Sequence, residues 1–529
     1  MSSLFDIGKS GIQSYRQALA VTGQNIANIN TDGYKRRGAN LEEVAAGQFG
    51  INNTGDSPGL GVRVSEIRRA FDEFLLNKAR SSTAYAESTA TFSTSIKQLE
   101  DLILPGEANL GAAIGRFFAG LQEIASTPND IAARTVALEQ AKQMADTFTE
   151  TASLIETYMQ GLTTQANEQI DSVNALTREI SNLNIQLARA SGTKPNNALL
   201  DSRDAMIDKL SKLVEVNVDL TGKGVALVTL GENMNGPRLV ENDRATTLGV
   251  ERQNERMAFI LSPGAENILT SQVTNGSLNG LEMAYATAVD MMAEIDNLAF
   301  VLVREMNKSH QQGLNLEGEK SGDLFRAIDV VIEPNPTNTG NASTEIKVSD
   351  FTKVQENRIT FTYDKDAAVW NGRADDGSLV VSGRNNVTLP GLEISFLGAP
   401  KGFDQFIYDP VKGSAGGVAV AIKRPHDFAA ASPLLVSTDP GNRGNALIDV
   451  RLTTPLPPSS LPSIENVFSN NRSAVAATTF LSGGAVAVIP ANASEIDMFS
   501  LASQSTARYS LSPDDLGQWN CQTTYHLKR

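Results

Sequence analysis

Three histidines, His310, His426 and His526, and one cysteine, Cys521, are the only residues of their kinds in this 529-residue chain. With the carboxylates, they are the side chains able to hold a metal, attack a carbonyl or move a proton near neutral pH. Their spacing builds no such site. Each histidine lies in a different segment, none has a second His or a Cys at ligand spacing, and no HExxH, CxxC or GxSxG string occurs. A single cysteine supports no internal disulfide framework. Gly59-Leu60-Gly61 has the outline of a phosphate loop, yet Val62 to Ile67 continue as an extended stretch where phosphate binding requires a helix N-terminus. Carboxylates are plentiful enough for a two-acid glycosidase by count, and nothing singles out a pair. The chain reads as a non-enzyme, with no catalytic residue, cofactor or metal assigned.

Composition narrows the partners. The balance of 45 basic against 60 acidic residues gives a formal charge of −15, which argues against nucleic acid. No positively charged start leads into an apolar core, so no Sec-type signal is expected. No apolar run approaches about 18 residues, so no membrane insertion is expected. The length suggests about three or four domains.

What remains informative is periodicity. Leu4, Ile7, Gly11, Tyr15, Ala18, Thr22, Ile26 and Ile29 recur every three or four positions, the stripe of an amphipathic helix whose small members Gly11 and Ala18 admit a neighbouring helix. Such a helix is marginal alone, so the stripe is expected to be mobile in the monomer and to be covered by other chains. Asn30, Thr31, Asp32 and Gly33 then supply turn chemistry. A second helix starts near Phe71 and Phe74 and closes at Pro105-Gly106. A third runs from Asp130 to about Ala190 with Phe148, Ala152, Ile155, Met159, Leu162, Ala166, Ile170, Val173, Ile180, Leu183 and Leu187 in nearly heptad rhythm. Leu281, Ala284, Ala288, Met291, Ile295, Leu298 and Leu302 mark another. Asp201, Arg203 and Asp204 alternate charge ahead of Met206, Ile207 and Leu210, as an ion pair fixing a helix start would. His310 and Gly313 read as a helix cap, with Gly313 the C′ residue.

Strand signals differ in position. Val225 to Leu230 and Met257 to Leu261 interrupt the helices. After about Ala327, short β-prone runs recur at Ile359 to Tyr363, Leu379 to Val381, Leu392 to Phe396, Phe406 to Tyr408 and Val418 to Ile422. The expected fold is α+β and multidomain: an N-terminal assembly segment at 1–70, a coiled-coil-like long-helix bundle at 71–326 with a β insertion near 217–275, an all-β outer domain at 327–455, and a Pro/Ser-rich tail at 456–529.

One literal string carries more than its pattern. Asn25-Ile26-Ala27-Asn28 followed by Asn30, Thr31, Gly33 and Tyr34 resembles the N-terminal signature of the flagellar rod, hook and hook-associated proteins, where it joins an assembly helix to the subunit body. RAFDEFL from Arg69, NLGAAIGRFFAGLQEIASTPNDIAAR from Asn109, NNALLDSRDAMIDKLSKLVEV from Asn196 and EMNKSHQQGLNLEGEKSGDLF from Glu305 resemble, in order, segments of the hook-associated protein 1 branch of that family.

The resemblance implies a structural subunit of the bacterial flagellum at the hook–filament junction, exported by the type III route to an extracellular position. It implies a ring-like self-assembly through the terminal and bundle helices, with hook protein, a second junction protein or flagellin, and an export chaperone as partners. It also implies a C-terminal amphipathic helix paired with the N-terminal one, whereas no heptad can be drawn through Ser500 to Arg529, which contain Pro513 and Gly517. A hook or distal-rod protein would share the first signature and lack the Asn109 and Asn196 strings. A surface adhesin or glycan-active protein would use the β domain instead.

Overall fold

The structure, a computed structural model, describes residues 2–31, 33–44, 61–103, 106, 109–189, 196–221, 224–253, 255–264 and 267–431, and the backbone of four strands between 477 and 510. Asp32, Pro105, the Pro-rich run from Pro455, Cys521 and His526 lie outside the described residues. The chain divides into two compact units, Met1–Gln98 with Met159–Val289, and Leu99–Tyr158 with Asp290–Arg529. This two-part division differs from the four-segment expectation because it cuts through long helices rather than between them.

Six long helices carry the α part: α1 (Ser2–Ala27), α2 (Glu73–Ile103), α3 (Leu110–Ser126), α4 (Ile131–Arg189), α5 (Asn197–Leu213) and α6 (Ser277–His310). The 59 residues of α4 contain no proline, and Asp130 starts them by accepting the Ala132 amide at 2.8 Å. All eleven positions of its heptad rhythm, from Phe148 to Leu187, are buried. On α6 the buried stripe is wider than a strict heptad. Ala299, Phe300 and Val303 are fully buried whereas Met291 and Leu298 are half-buried. The Asn109 to Arg134 string forms α3 and the start of α4: Asn109 caps α3 by accepting the Ala112 amide at 2.8 Å, and the chain breaks at Thr127, Pro128 and Asn129 before α4 begins.

In the first unit, β1 (Arg37–Glu43) and β2 (Val62–Arg69) pair antiparallel as a ribbon after α1. The insertion following α5 forms two small antiparallel sheets: β3 (Val216–Leu220), β4 (Ala226–Leu230), β5 (Arg238–Glu241) and β6 (Arg244–Ala245), then β7 (Thr247–Gln253), β8 (Arg256–Ser262) and β9 (Ile268–Thr270). Asn184 of α4 anchors the first of them by donating to the Ala226 carbonyl and accepting the Ala226 amide, at 2.8 and 2.9 Å.

In the second unit, β10 (Val331–Pro334), β12 (Ile359–Asp364), β13 (Val369–Ala374), β14 (Leu379–Gly383) and β17 (Gln405–Asp409) form a sheet in the order β10-β17-β12-β13-β14. The second sheet holds β11 (Ser343–Val348), β15 (Asn386–Leu389) and β16 (Leu392–Leu397) in the order β11-β16-β15. Trp370 of the first sheet stacks on Phe396 of the second with centroids 4.4 Å apart, and Phe361 and Phe406 close edge-on against Phe396. Val418 to Ile422 is not a strand. It makes a single bridge between Val420 and Phe325, flanked by the Arg326-to-Ala419 and Ala421-to-Leu324 amide bonds, so its apolar residues cover the chain leaving α6 and extend no sheet.

The Pro/Ser-rich tail contains four strands among the described residues. Ala477–Ser482, Ala485–Pro490, Glu495–Ser500 and Ser505–Ser510 pair in sequence as an antiparallel sheet. Val486, Val488 and Ile489 supply β-branched residues there.

Candidate functional site

Helix α1 uses two adjoining faces for two purposes. Ile7, Ser10, Gly11, Ser14, Ala18, Val21 and Asn25 lie on the covered or half-covered side, and of these Ser14 and Val21 are buried. The contact is polar at its centre: Ser10 Oγ accepts the Val62 amide at 3.2 Å and Ser14 Oγ donates to the Val62 carbonyl at 2.9 Å. Gly61, at φ 113°, allows this approach, since a Cβ there would lie 2.1 Å from Ser10 Oγ. That is the use of Gly61. The other face is apolar and exposed, with Leu4, Phe5, Ile12, Tyr15, Leu19 and Ile26 between 62 and 80% accessible and Ile29 beyond the helix at 79%. The expected stripe therefore divides. Ile7, Gly11 and Ala18 turn toward the ribbon, while Leu4, Tyr15, Ile26 and Ile29 face outward, and α1 is helical and docked within the single chain instead of lacking any local cover.

Asn25 closes the turn that follows. Its Nδ2 donates to the Arg37 carbonyl at 2.7 Å, and its Oδ1 accepts both the Arg37 amide and the Tyr34 hydroxyl at 2.9 Å. Asn28 donates to the Gln24 carbonyl and accepts the Thr31 hydroxyl, the Tyr34 amide bonds the Thr31 carbonyl, and Asn30 is exposed. Gly33 adopts φ 78°, and a Cβ there would touch Ala205 of α5 at 3.0 Å. The motif is thus a tied reversal that aims the ribbon at α5.

A buried charge cluster completes the mount. Antiparallel register sets Arg37 opposite Arg69 at the end of the ribbon, so both guanidinium groups reach α5. Asp201 accepts Arg37 at 2.9 Å and Arg69 at 3.2 Å, and Asp204 accepts Arg69 at 2.6 Å and Arg203 at 2.7 Å. Arg80 of α2 bonds Asp208 at 2.7 Å and stands 4.0 Å from Asp204. Arg203 also donates to the Gly224 carbonyl. Burial pulls the Arg203 pKa down, opposed by Asp204 and reinforced by Arg69 and Arg80. Asn197 adds a bond to the Ile67 carbonyl at 2.8 Å. The α5 charges do not mark a helix start, which belongs to Asn196 capping Ala198 and Leu199. They lie in the helix, on the face that receives the ribbon.

In the second unit His310 ends α6. Its Nδ1 donates to the Gly322 carbonyl at 2.7 Å and its Nε2 accepts the Ala429 amide at 3.0 Å, which requires the neutral ring. Gly313 is not the left-handed cap residue expected, for its φ is not positive. It is small because a Cβ would lie 2.8 Å from Ala429 Cβ. Burial lowers the His310 pKa, against the Gly322 carbonyl and the Asp323 and Asp427 charges. With the folded pKa below the unfolded value of about 6.5, the unfolded chain binds the proton first as pH falls. Stability from neutral His310 is complete above that pH and is lost as pH falls through the folded value. The urea midpoint of the second unit should therefore drop on acidification below about pH 6.5, and His310→Gln should flatten that slope; an unchanged slope would show that the ring is not held neutral.

Parts of both sites fall within segments that known families share, Ser10, Ser14 and Asn25 in one and Asp201, Asp204 and His310 in the other, whereas Arg37, Arg69, Arg80 and Ala429 lie outside them. The family model described as "Flagella basal body rod protein" matches residues 5–35, and that described as "Flagellar hook-associated protein FlgK helical domain" matches residues 96–325. Flagellar hook-associated protein 1 of Escherichia coli K12 is 24% identical over 464 residues, covering 85% of this chain and 83% of the relative. Over most of its length the chain is similar to the flagellar hook-associated protein 1 family. The Bacillus subtilis member is 27% identical over 384 residues, covering 66% of this chain and 75% of its own. The solved flagellar hook junction protein FlgK from Burkholderia pseudomallei superposes with a TM-score of 0.56 at 25% identity, over 68% of this chain and 66% of that one.

The sequence pattern alone did not reveal Phe5, Ile12 and Leu19 on the outward face or the clustering of Arg37, Arg69 and Arg80. The first group carried a signal, since Ile12, Tyr15, Leu19 and Ile26 repeat at helical spacing beside the Leu4-to-Ile29 stripe. The arginines carried none, because their partners are more than 120 residues away in sequence.

Proposed function

We propose that the chain is a structural subunit at the hook–filament junction of the bacterial flagellum, and that α1 joins it to its neighbours. The observation that carries this reading is the way α1 is held: polar clips fasten one side to a ribbon that is itself ion-paired to α5, and among the described residues the apolar side is left exposed. Fully burying each large side chain of that face would contribute about 1.5–3 kcal/mol, ample for assembly. Self-association within the axial structure, contact with hook protein and with a second junction protein or flagellin, export by the type III route with a chaperone, and the lack of catalysis all follow from this reading. Against a hook or distal-rod protein stands the helical-domain match over residues 96–325. Expression in cells lacking their own junction protein tests the proposal. Restored filament attachment and swimming are expected; exported protein that leaves filaments detached would refute it.

A further inference from the structure

Phe403 is the most exposed large apolar side chain of the described residues, 86% accessible, and its backbone sits at φ 70°. A residue with a β-carbon disfavours that left-handed region, and a bulky one most of all. The loop enforces it. Asp404, 3% accessible, accepts the amides of Thr339, Gly340 and Lys401 at 2.9, 3.1 and 2.7 Å, while the Phe403 amide bonds the Tyr363 carbonyl at 3.1 Å and the Tyr363 amide bonds the Asp404 carbonyl at 2.9 Å. A rigid frame thus presents a strained aromatic to solvent, with nothing gained in the fold to offset the strain. Strained, over-determined residues of this kind concentrate at binding sites.

The sheet bears complementary features at its two ends. Bonding to Tyr363 places Phe403 at the end where β12 turns into β13, near exposed Lys365 and Lys401, with Asp364, Asp366 and the buried Asp404 as the opposing charges. At the opposite end β13 turns into the edge strand β14 through Asp375, Asp376 and Gly377. There Leu379 and Val380 are 55 and 48% accessible, and Arg373 is engaged with the Gly377 carbonyl. One end offers an aromatic knob with two exposed lysines near it, the other an apolar edge preceded by two exposed carboxylates. Because these are different surfaces of one molecule, their contact is head-to-tail and repeats from copy to copy.

We propose that Phe403 of one copy docks on the Leu379–Val380 edge of a second copy, with Lys401 against Asp376. This rests on the reading of the chain as a repeated subunit. The test is sedimentation equilibrium of the full chain carrying Leu19→Asp, which silences the α1 face. Lys401→Glu and Asp376→Lys should each weaken self-association at least tenfold, and the two together should restore it, since the swapped charges meet again between copies. Phe403→Asn, which suits the left-handed backbone, should abolish association while raising the melting temperature by about 2 °C. Association of Phe403→Asn equal to the parent, a double variant weaker than either single one, or a parent monomeric in this background would each overturn the contact. The junction reading would stand or fall separately, on the swimming of cells carrying the unaltered chain.

Discussion

Asp204→Ala is expected to lower the stability of the first unit by about 3–5 kcal/mol, the cost of stranding buried charge. Asp204 is 1% accessible and, among the described residues, is the only carboxylate bonded to Arg203, which is itself fully buried. Its removal would leave Arg69 with Asp201 alone and would bring Arg69, Arg80 and Arg203 together without the charge between them. Asp204→Asn should recover little, since the shape returns without the charge. By contrast, Glu139→Gln breaks a pair whose side chains are 45 and 64% accessible and should cost less than about 1 kcal/mol. Urea unfolding followed by circular dichroism measures both; similar midpoints would mean that the cluster is not a fastening. The loss should also appear as faster proteolysis of α1, because the ribbon that holds α1 is docked on α5 through these ions.

Leu19→Asp is expected to abolish swimming of complemented cells while shifting monomer stability by no more than about 0.5 kcal/mol. Leu19 is 70% accessible, so the isolated chain loses almost nothing. Burying that carboxylate against a neighbouring subunit would cost several times more. Val21→Asp is the converse case. Val21 is 4% accessible on the covered side of the same helix, and a charge there should detach α1 within the monomer. Swimming cells with Leu19→Asp would show that the exposed face is not an assembly surface.

Local chemistry alone determined much of this protein. The helix at residues 2–27, the unbroken α4 and the short outer strands are legible because apolar spacing and turn residues act over a few positions. The turn after α1 was legible too, since Asn25, Asn28, Thr31 and Gly33 bond or pack within it or beside it. Only the tertiary structure decided which side of α1 faces outward. Its apolar residues occupy an arc wider than a single stripe, and two serines, polar by any pattern, hold the covered side through the backbone of Val62. The same holds for Asp201 and Asp204, which read as local charges and are instead bonded to arginines from the distant ribbon. Ion pairs between remote segments leave no periodic trace; they exist because antiparallel register brings Arg37 and Arg69 side by side, and register is a property of the folded chain.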